Sequence, residues 1–338
     1  MTNDGPQTPP TADFLFDLEP SGDDRFVGRT PLDRDRRVYG GQVVAQALNA
    51  ANRTVDGRTA HSLHAYFLLP GDPRLPITYE IIRLRDGKSF STRQVIARQN
   101  GAAIYTMTAS YQGGETGLEH QMPMPRVPPP DALLTRDEIL SRYGDRLPLP
   151  LKRYLTSAGL VDFRMVELER YLVARGVGRR EPLQHVWIRF AGKLPEDPVS
   201  QQIGLAYLSD FWVLDTTLVA HGRWLGDPDM LPASLDHAVW FHRPCRADQW
   251  LLFAQDSPMT IAGRGFGRGL IFQPDGTLVA SLAQEGVIRV RRLGRLEVGK
   301  VQSHLTVRRR YVETPFAAGL AQGAPQVIGH RNADVDLE

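Results

Sequence analysis

The sequence predicts an α+β fold made of two copies of one unit, each a long helix followed by an antiparallel sheet wrapped around it. Three observations carry this expectation. Two stretches share a strand, a proline turn and a second strand: HSLHAYFLLPGDPRLPITYEI (61–81) and ASLDHAVWFHRPCRADQWLLFA (233–254). Phe67 and Pro70 match Phe241 and Pro244 at an offset of 174, and Asn100-Gly101 matches Asp275-Gly276 at 175. Landmarks that keep nearly one spacing from residue 67 to residue 101 mark an internal repeat. Each copy also follows an apolar segment of helical character.

The chain of 338 residues is long enough for a sizeable core and two domains. Hydrophobic residues make up 42% and charged residues 23%, in the range of ordinary globular proteins. A net charge of +2, from 40 basic and 38 acidic residues, is too balanced to imply a nucleic-acid or membrane partner. Cys245 is the single cysteine, so no intrachain disulfide framework exists and a reducing compartment is expected. The stretch MTNDGPQTPPTADF has no apolar signal region, and DVDLE is not a peroxisomal address. No stretch reads as the ~18 apolar residues of a membrane span. A soluble cytoplasmic protein is the expectation.

Taken in order, residues 12–113 form the first unit. YGGQVVAQALNAANRTV (39–55) sets Val43, Val44, Ala47, Leu48 and Ala51 at helical spacing behind Gly40-Gly41. Strands follow in 61–81, and STRQVIARQNGAAIYTMTASYQ (91–112) is a hairpin about Asn100-Gly101. Residues 114–160 carry MPMPRVPPPD and DRLPLPLKR, whose prolines predict an irregular surface connector. Residues 161–289 form the second unit. IGLAYLSDFWVLDTTLV (203–219) is apolar nearly all round, as a buried helix is. The strands of 233–254 and a hairpin about Asp275-Gly276 complete it. Residues 290–338 are rich in Arg, Gly and Ala and read as a basic extension.

The last strand raises the functional question. In LVASLAQEGVIRV (278–290), Ala280, Leu282, Gln284, Gly286 and Ile288 share the more apolar face. That face should look inward and bury the Gln284 amide, with Glu285 at the rim. A buried amide left unpaired costs about 1–3 kcal/mol, so Gln284 either satisfies a local backbone group or serves a site. Gly286 would let something approach the backbone closely. Asp210, in LAYLSDFWVL, sits on a mostly apolar helix, where a carboxylate is costly unless paired or used. Asp215 would lie ~140° away on the same helix, so the two cannot share a site. Ser234 begins the strand SLDHAVWFH, a position that turn residues commonly occupy. His237 and His242 fall on opposite faces of that strand, and no HExxH or CxxC occurs, so no metal site is expected. There is no GxSxG. GRGFGRG (263–269) sits in a strand, and GRLEVGKV (294–301) ends in valine where a P-loop needs a hydroxyl. Cys245 reads as an inert turn residue.

GGQVVAQAL, HSLHAYFLLPGD, RLRDGKSFSTR, LSDFWVL, SLDHAVWFHRP and ASLAQEGVIR, in this order, resemble the type-II acyl-CoA thioesterases, the double hot-dog hydrolases. The resemblance runs from about Phe14 to Arg289, the PPPD connector included. It implies two fused hot-dogs, each a helix wrapped by an antiparallel sheet. It also implies a catalytic set of an aspartate, a threonine or serine, and the glutamine of a Q-E-G, which fall on Asp210, Ser234 and Gln284. Ala109 falls opposite Gln284 and Gln46 roughly opposite Asp210, so one active site per chain is expected. Residues 290–338 lie outside the family pattern.

Thioester hydrolysis needs an oriented water, an acceptor for its proton and a stabilised oxyanion. In the implied scheme Asp210 accepts the proton, directly or through Ser234, while Gln284 and Ser234 hold the water. No covalent intermediate and no cofactor are required. Gly40 and Gly41, opening the first helix, are the candidate oxyanion donors. RVRRLGR (289–295) and VRRRY (307–311) could meet the phosphates of an acyl-CoA substrate or simply be a solvated basic tail. The expected partner is acyl-CoA, with no nucleic acid and no membrane, and a homo-oligomer is the expected assembly. Rival readings are a hot-dog enoyl-CoA hydratase, whose D-x-N-x-x-H context is missing, and a non-catalytic acyl-CoA binding or sensing protein.

Overall fold

The computed structural model describes residues 11–31, 37–156, 159–172 and 180–291. Among them, thirteen strands form one antiparallel sheet around two long helices. The first half contributes β1 (Glu19–Pro20), β2 (Arg25–Gly28), β3 (Thr59–Phe67), β4 (Ile77–Asp86), β5 (Phe90–Gln99) and β6 (Ala102–Gln112). The second contributes β7 (Val161–Met165), β8 (Leu183–Phe190), β9 (Met230–Ser234), β10 (Asp236–Phe241), β11 (Leu251–Ile261), β12 (Arg264–Phe272) and β13 (Leu278–Val290). Their order across the sheet is β1-β2-β4-β5-β6-β3-β10-β13-β12-β11-β8-β7, with β9 pairing β13. Read outward from the central β3–β10 pair, the two halves run through corresponding strands. This is the double hot-dog architecture. β3 and β10 join the halves edge to edge, with Leu63 opposite Val239.

The helices are α1 (Asp13–Phe16), α2 (Gly40–Asn52), α3 (Arg136–Tyr143), α4 (Leu149–Thr156), α5 (Pro198–Ser209) and α6 (Val213–Thr216). α2 is buried along its whole length from Gly41 to Ala51, because the sheet curls around it and α5 packs beside it. β5 alternates strictly, so Ser91, Arg93, Val95, Ala97 and Gln99 face inward. A fully buried arginine needs partners, and Arg93 has them: Nη2 donates to the Thr54 carbonyl just past α2 (2.9 Å) and to Asp86 (2.8 Å). Asn100 and Gly101 have φ of 48° and 80°, the left-handed pair a tight hairpin requires.

The structure departs from the sequence expectations in four places. The run 203–219 is not one helix. α5 starts at Pro198, capped by the Asp197 side chain on the Ser200 N–H (2.8 Å), and ends at Ser209. Trp212 then takes a left-handed φ of 58° and α6 begins afresh. The connector is irregular only in its first part. α3 carries a Thr135/Glu138 capping box, and Pro148 and Pro150 lie at the start of α4, where proline is tolerated. Ser234 ends β9 rather than opening the following strand. Finally, Pro198–His221 does have the length and hydropathy of a membrane span, but 83% of its apolar 18-residue window is buried within the protein as core.

Asp215 belongs to this scaffold. It is buried and bonded to Arg170, to the Tyr171 hydroxyl (2.9 Å) and to the Leu225 N–H (2.7 Å). Asp215→Asn leaves the Arg170 charge buried without its counterion, so it should lower unfolding free energy by about 3 kcal/mol in a denaturant titration. The reaction rate of the folded fraction should stay close to the parent's.

His237, on β10, is completely buried. The Ser209 hydroxyl donates to the Ala206 carbonyl (2.8 Å), so the His237 Nε2–H must donate to Ser209 Oγ (2.8 Å). Nδ1 has no partner among the described residues, and protonating it would create a stranded donor. Burial accordingly pushes the imidazole pKa down from 6.5 to about 4. The folded value lies below the unfolded one, so the contribution is full above pH 6.5 and drains away as pH falls toward 4. The loss should be about 3 kcal/mol. His237→Gln should flatten this slope when unfolding is measured at pH 7 and pH 4.

Candidate active site

The break after α5 decides where Asp210 points. Asp210 is the C-cap of α5. The left-handed turn at Trp212 is held by aromatic packing, with Phe211 stacked on Trp212 at 4.7 Å and Phe163 against it at 4.9 Å. The carboxylate emerges at the crossing of the two long helices, next to the N-terminus of α2. Its Oδ2 accepts the Gly41 N–H (2.9 Å), and its Oδ1 accepts the Gln284 Nε2 (2.7 Å). The same Nε2 donates to Ser234 Oγ (3.2 Å).

Asp210, Ser234 and Gln284 therefore converge, as the resemblance implied. Strand geometry explains two of the three. β13 buries alternate residues, and Gln284 is 1% exposed on its inward face. β9 pairs with β13 so that Ser234 lies opposite Gly286, beside Gln284. The room that Gly286 provides is taken by the protein itself: a Cβ there would meet the Leu214 side chain and, at 3.0 Å, the Ala233 carbonyl.

The two glycines separate in role. The Gly41 N–H is committed to Asp210, which corrects the expectation that it faces a substrate oxyanion. A Cβ on Gly41 would run into the Tyr207 carbonyl and the Tyr39 ring, so α2 and α5 cross this closely only with glycine. Gly40 lines the cleft, where a Cβ would sit 2.7 Å from Asp210 Oδ2 and 3.1 Å from the Phe67 ring.

The cleft has a volume of about 390 Å³. Val38, Phe67, Leu68, Leu69 and Ile104 form an apolar wall, and Asp210, Ser234 and Tyr105 supply polar groups. Arg37 is its cationic residue among those described. The glycines opening α2 hinted at this first-half contribution, but alternation alone marks Phe67 and Tyr105 as core. The Gln284 amide stands behind Asp210 and Ser234. The basic segments at 289–295 and 307–311 lie outside the described residues from Arg292 onward.

A second cleft of about 280 Å³ shows what the first has that the fold alone does not provide. Thr59–His61 and Phe241–Cys245 line it, at the places that Ala233–Leu235 and Phe67–Gly71 take in the first. Ala60 faces Tyr111 as Ser234 faces Gly286. The pairing of His64 with Thr108 repeats as Ala238 with Ala283, which sets Ala109 against Gln284. Counted from the N-caps Tyr39 and Asp197, Asn52 rather than Gln46 corresponds to Asp210. Gln46 instead accepts from the Tyr79 hydroxyl (2.7 Å) beneath α2.

Comparison with known proteins gives the family. Residues 162–287 match the acyl-CoA thioesterase family, and residues 30–112 match the acyl-CoA thioesterase N-terminal domain. The chain is 38% identical over 286 residues to human acyl-coenzyme A thioesterase 8, covering 82% of this chain and 88% of that protein. It is 39% identical over 277 residues to Haemophilus influenzae acyl-CoA thioesterase 2, covering 81% and 96%. The crystal structure of acyl-CoA thioesterase II TesB2 from Mycobacterium marinum superposes with a TM-score of 0.67 at 38% identity, covering 83% of this chain and 98% of that one. With a matching fold and relatives of this identity over most of its length, the chain belongs to the acyl-CoA thioesterase family.

Proposed function

We propose that the chain hydrolyses acyl-CoA to a carboxylic acid and coenzyme A, using a water activated by Asp210 and no covalent acyl-enzyme. The observation that carries this reading is the Asp210 carboxylate, held from two sides at the cleft by Gly41 and Gln284, with Ser234 beside it. A carboxylate fixed in this way can take a proton from a water lying between it and the Ser234 hydroxyl. Both hydrogens of the Gln284 amide are engaged, one on Asp210 and one on Ser234. Gln284 thus orients the other two and leaves the water to them, a narrower role than the sequence suggested. Ser234 Oγ accepts from an amide rather than handing its proton to a base, which favours water over the serine as nucleophile. Cys245 lines the second cleft rather than the first, and burial pushes its thiol pKa up to about 12, which disfavours it as the nucleophile.

The apolar wall from Val38 to Ile104 suits the acyl chain, and Arg37 at the cleft suits a phosphate of coenzyme A. The Gly40 N–H, at the positive end of α2, is the remaining backbone candidate for the oxyanion.

Release of free thiol from a long-chain acyl-CoA tests the reading, with Asp210→Asn as the deciding variant. Asp210→Asn should lower kcat by about 10²–10⁴-fold with little change in unfolding midpoint. Enoyl-CoA hydration measured alongside should be undetectable in both proteins. An Asp210→Asn protein that hydrolyses at the parent rate would remove Asp210 from the mechanism. An active hydratase would replace the reading with its nearest rival.

A further inference from the structure

Tyr105 is a buried tyrosine in the cleft wall whose hydroxyl makes no hydrogen bond among the described residues. It lies on β6 opposite Phe67 of β3, with the two rings tilted at 5.3 Å between centroids. The residue is 1% exposed and lines the same cleft as Gly40, Asp210 and Ser234. Its hydroxyl has no hydrogen-bond partner among the described residues. A buried hydroxyl left unpaired costs about 1–3 kcal/mol. Tyr79, equally buried, shows the ordinary solution by donating to Gln46. Tyr111 is also unpaired but lines neither cleft.

The second cleft supplies an independent observation. The pairing of Phe67 with Tyr105 repeats as Phe241 with Ala280. The scaffold positions Phe67 and Pro70 keep their residue types there as Phe241 and Pro244, while Ser234 and Gln284 are matched by Ala60 and Ala109. Tyr105, matched by Ala280, divides with the second group. It is present where the polar set is present and reduced to a methyl where that set is gone.

We propose that Tyr105 is a catalytic residue whose hydroxyl donates to the thioester carbonyl oxygen and stabilises the oxyanion, opposite the Asp210-bound water. The inference rests on the hydrolytic reading given above. In the step it serves, the water oxygen bonds to the carbonyl carbon, its proton passes to Asp210, and negative charge collects on the oxygen that Tyr105 and the Gly40 N–H contact. Collapse breaks the carbon–sulfur bond, and Asp210 returns the proton to the departing thiolate. Tyr105 keeps its own proton throughout. Burial, and then the nearby Asp210 charge, raise its pKa well above the ordinary 10, so it stays protonated and able to donate.

Tyr105→Phe removes one oxygen and keeps the ring. The full-length variant should lose about 10²–10³-fold in kcat, the effect of deleting one oxyanion donor, with KM nearly unchanged. Its unfolding midpoint should equal or exceed the parent's, because the unpaired hydroxyl is gone. A thioether analogue of acyl-CoA, which lacks the carbonyl, should bind parent and variant alike. Retention of kcat within about threefold overturns the proposal, as does a loss of activity matched by a loss of stability or of thioether affinity. Asp210→Asn, run in parallel, separates the two readings. If it is inactive while Tyr105→Phe is active, hydrolysis stands and the role of Tyr105 falls. If it too is fully active, the hydrolytic reading fails first.

Discussion

The antiparallel pairing of β3 with β10 is the constraint on which the rest depends. It fuses two sheets into one, with Leu63 and Val239 fully buried at the seam. Two continuations of the ladder stitch in the segment that carries Ser234: the Phe67 N–H donates to the Leu235 carbonyl (2.9 Å), and the Leu235 N–H to the Glu285 carbonyl (2.9 Å). With the sheets joined, α2 and α5 lie against each other inside the curl. The end of α5 then meets the beginning of α2, and the Asp210 carboxylate lies where they touch.

That meeting has a definite electrostatic sense. A carboxylate at a helix C-terminus is unfavourable, since the carbonyl ends there are already negative. Asp210 caps α5 in this unfavourable position. The N-terminus of α2 offsets it, because the Gly41 N–H and the positive end of a second helix face the same oxygens. The approach requires glycine at position 41, where any side chain would strike the Tyr207 carbonyl. It also requires the chain to turn away at once, which Trp212 does in a conformation costing about 1–2 kcal/mol for an L-residue. The stacked rings of Phe211, Trp212 and Phe163 hold that turn in place.

Much of this was legible in the sequence, and the limits have physical reasons. The hairpin glycines, the near-constant offset and the alternation that turns Gln284 inward all express local rules, and the structure follows them. The break at Trp212 was not legible, because neither glycine nor proline marks it and the ring of Phe163, far away in sequence, helps to stabilise it. α4 was missed because its prolines fall at a helix start, where the rule against proline does not apply. β9 was missed because MLPAS contains Pro232 and shows no alternation. The pairing of Asp210 with Gly41 joins residues from different halves, and no spacing along the chain reports such a contact. Tyr105 reads as an ordinary inward strand residue, and only its bare hydroxyl in the folded protein sets it apart.

The covalent connection between the halves has a further consequence for how such a molecule can change. Where two identical subunits make a sheet of this kind, every substitution appears twice, and the two symmetry-related clefts must stay alike. In one chain each half can vary alone. Here the second half carries Asp210, Ser234 and Gln284, while the first contributes Gly40 and Phe67 to the same cleft and the Gly41 N–H to Asp210. The other cleft, with Ala60 and Ala109 at the matching places, is released from that demand and holds His61, His242 and Arg243 instead. Broken symmetry thus permits a division of labour that an assembly of identical copies could not reach.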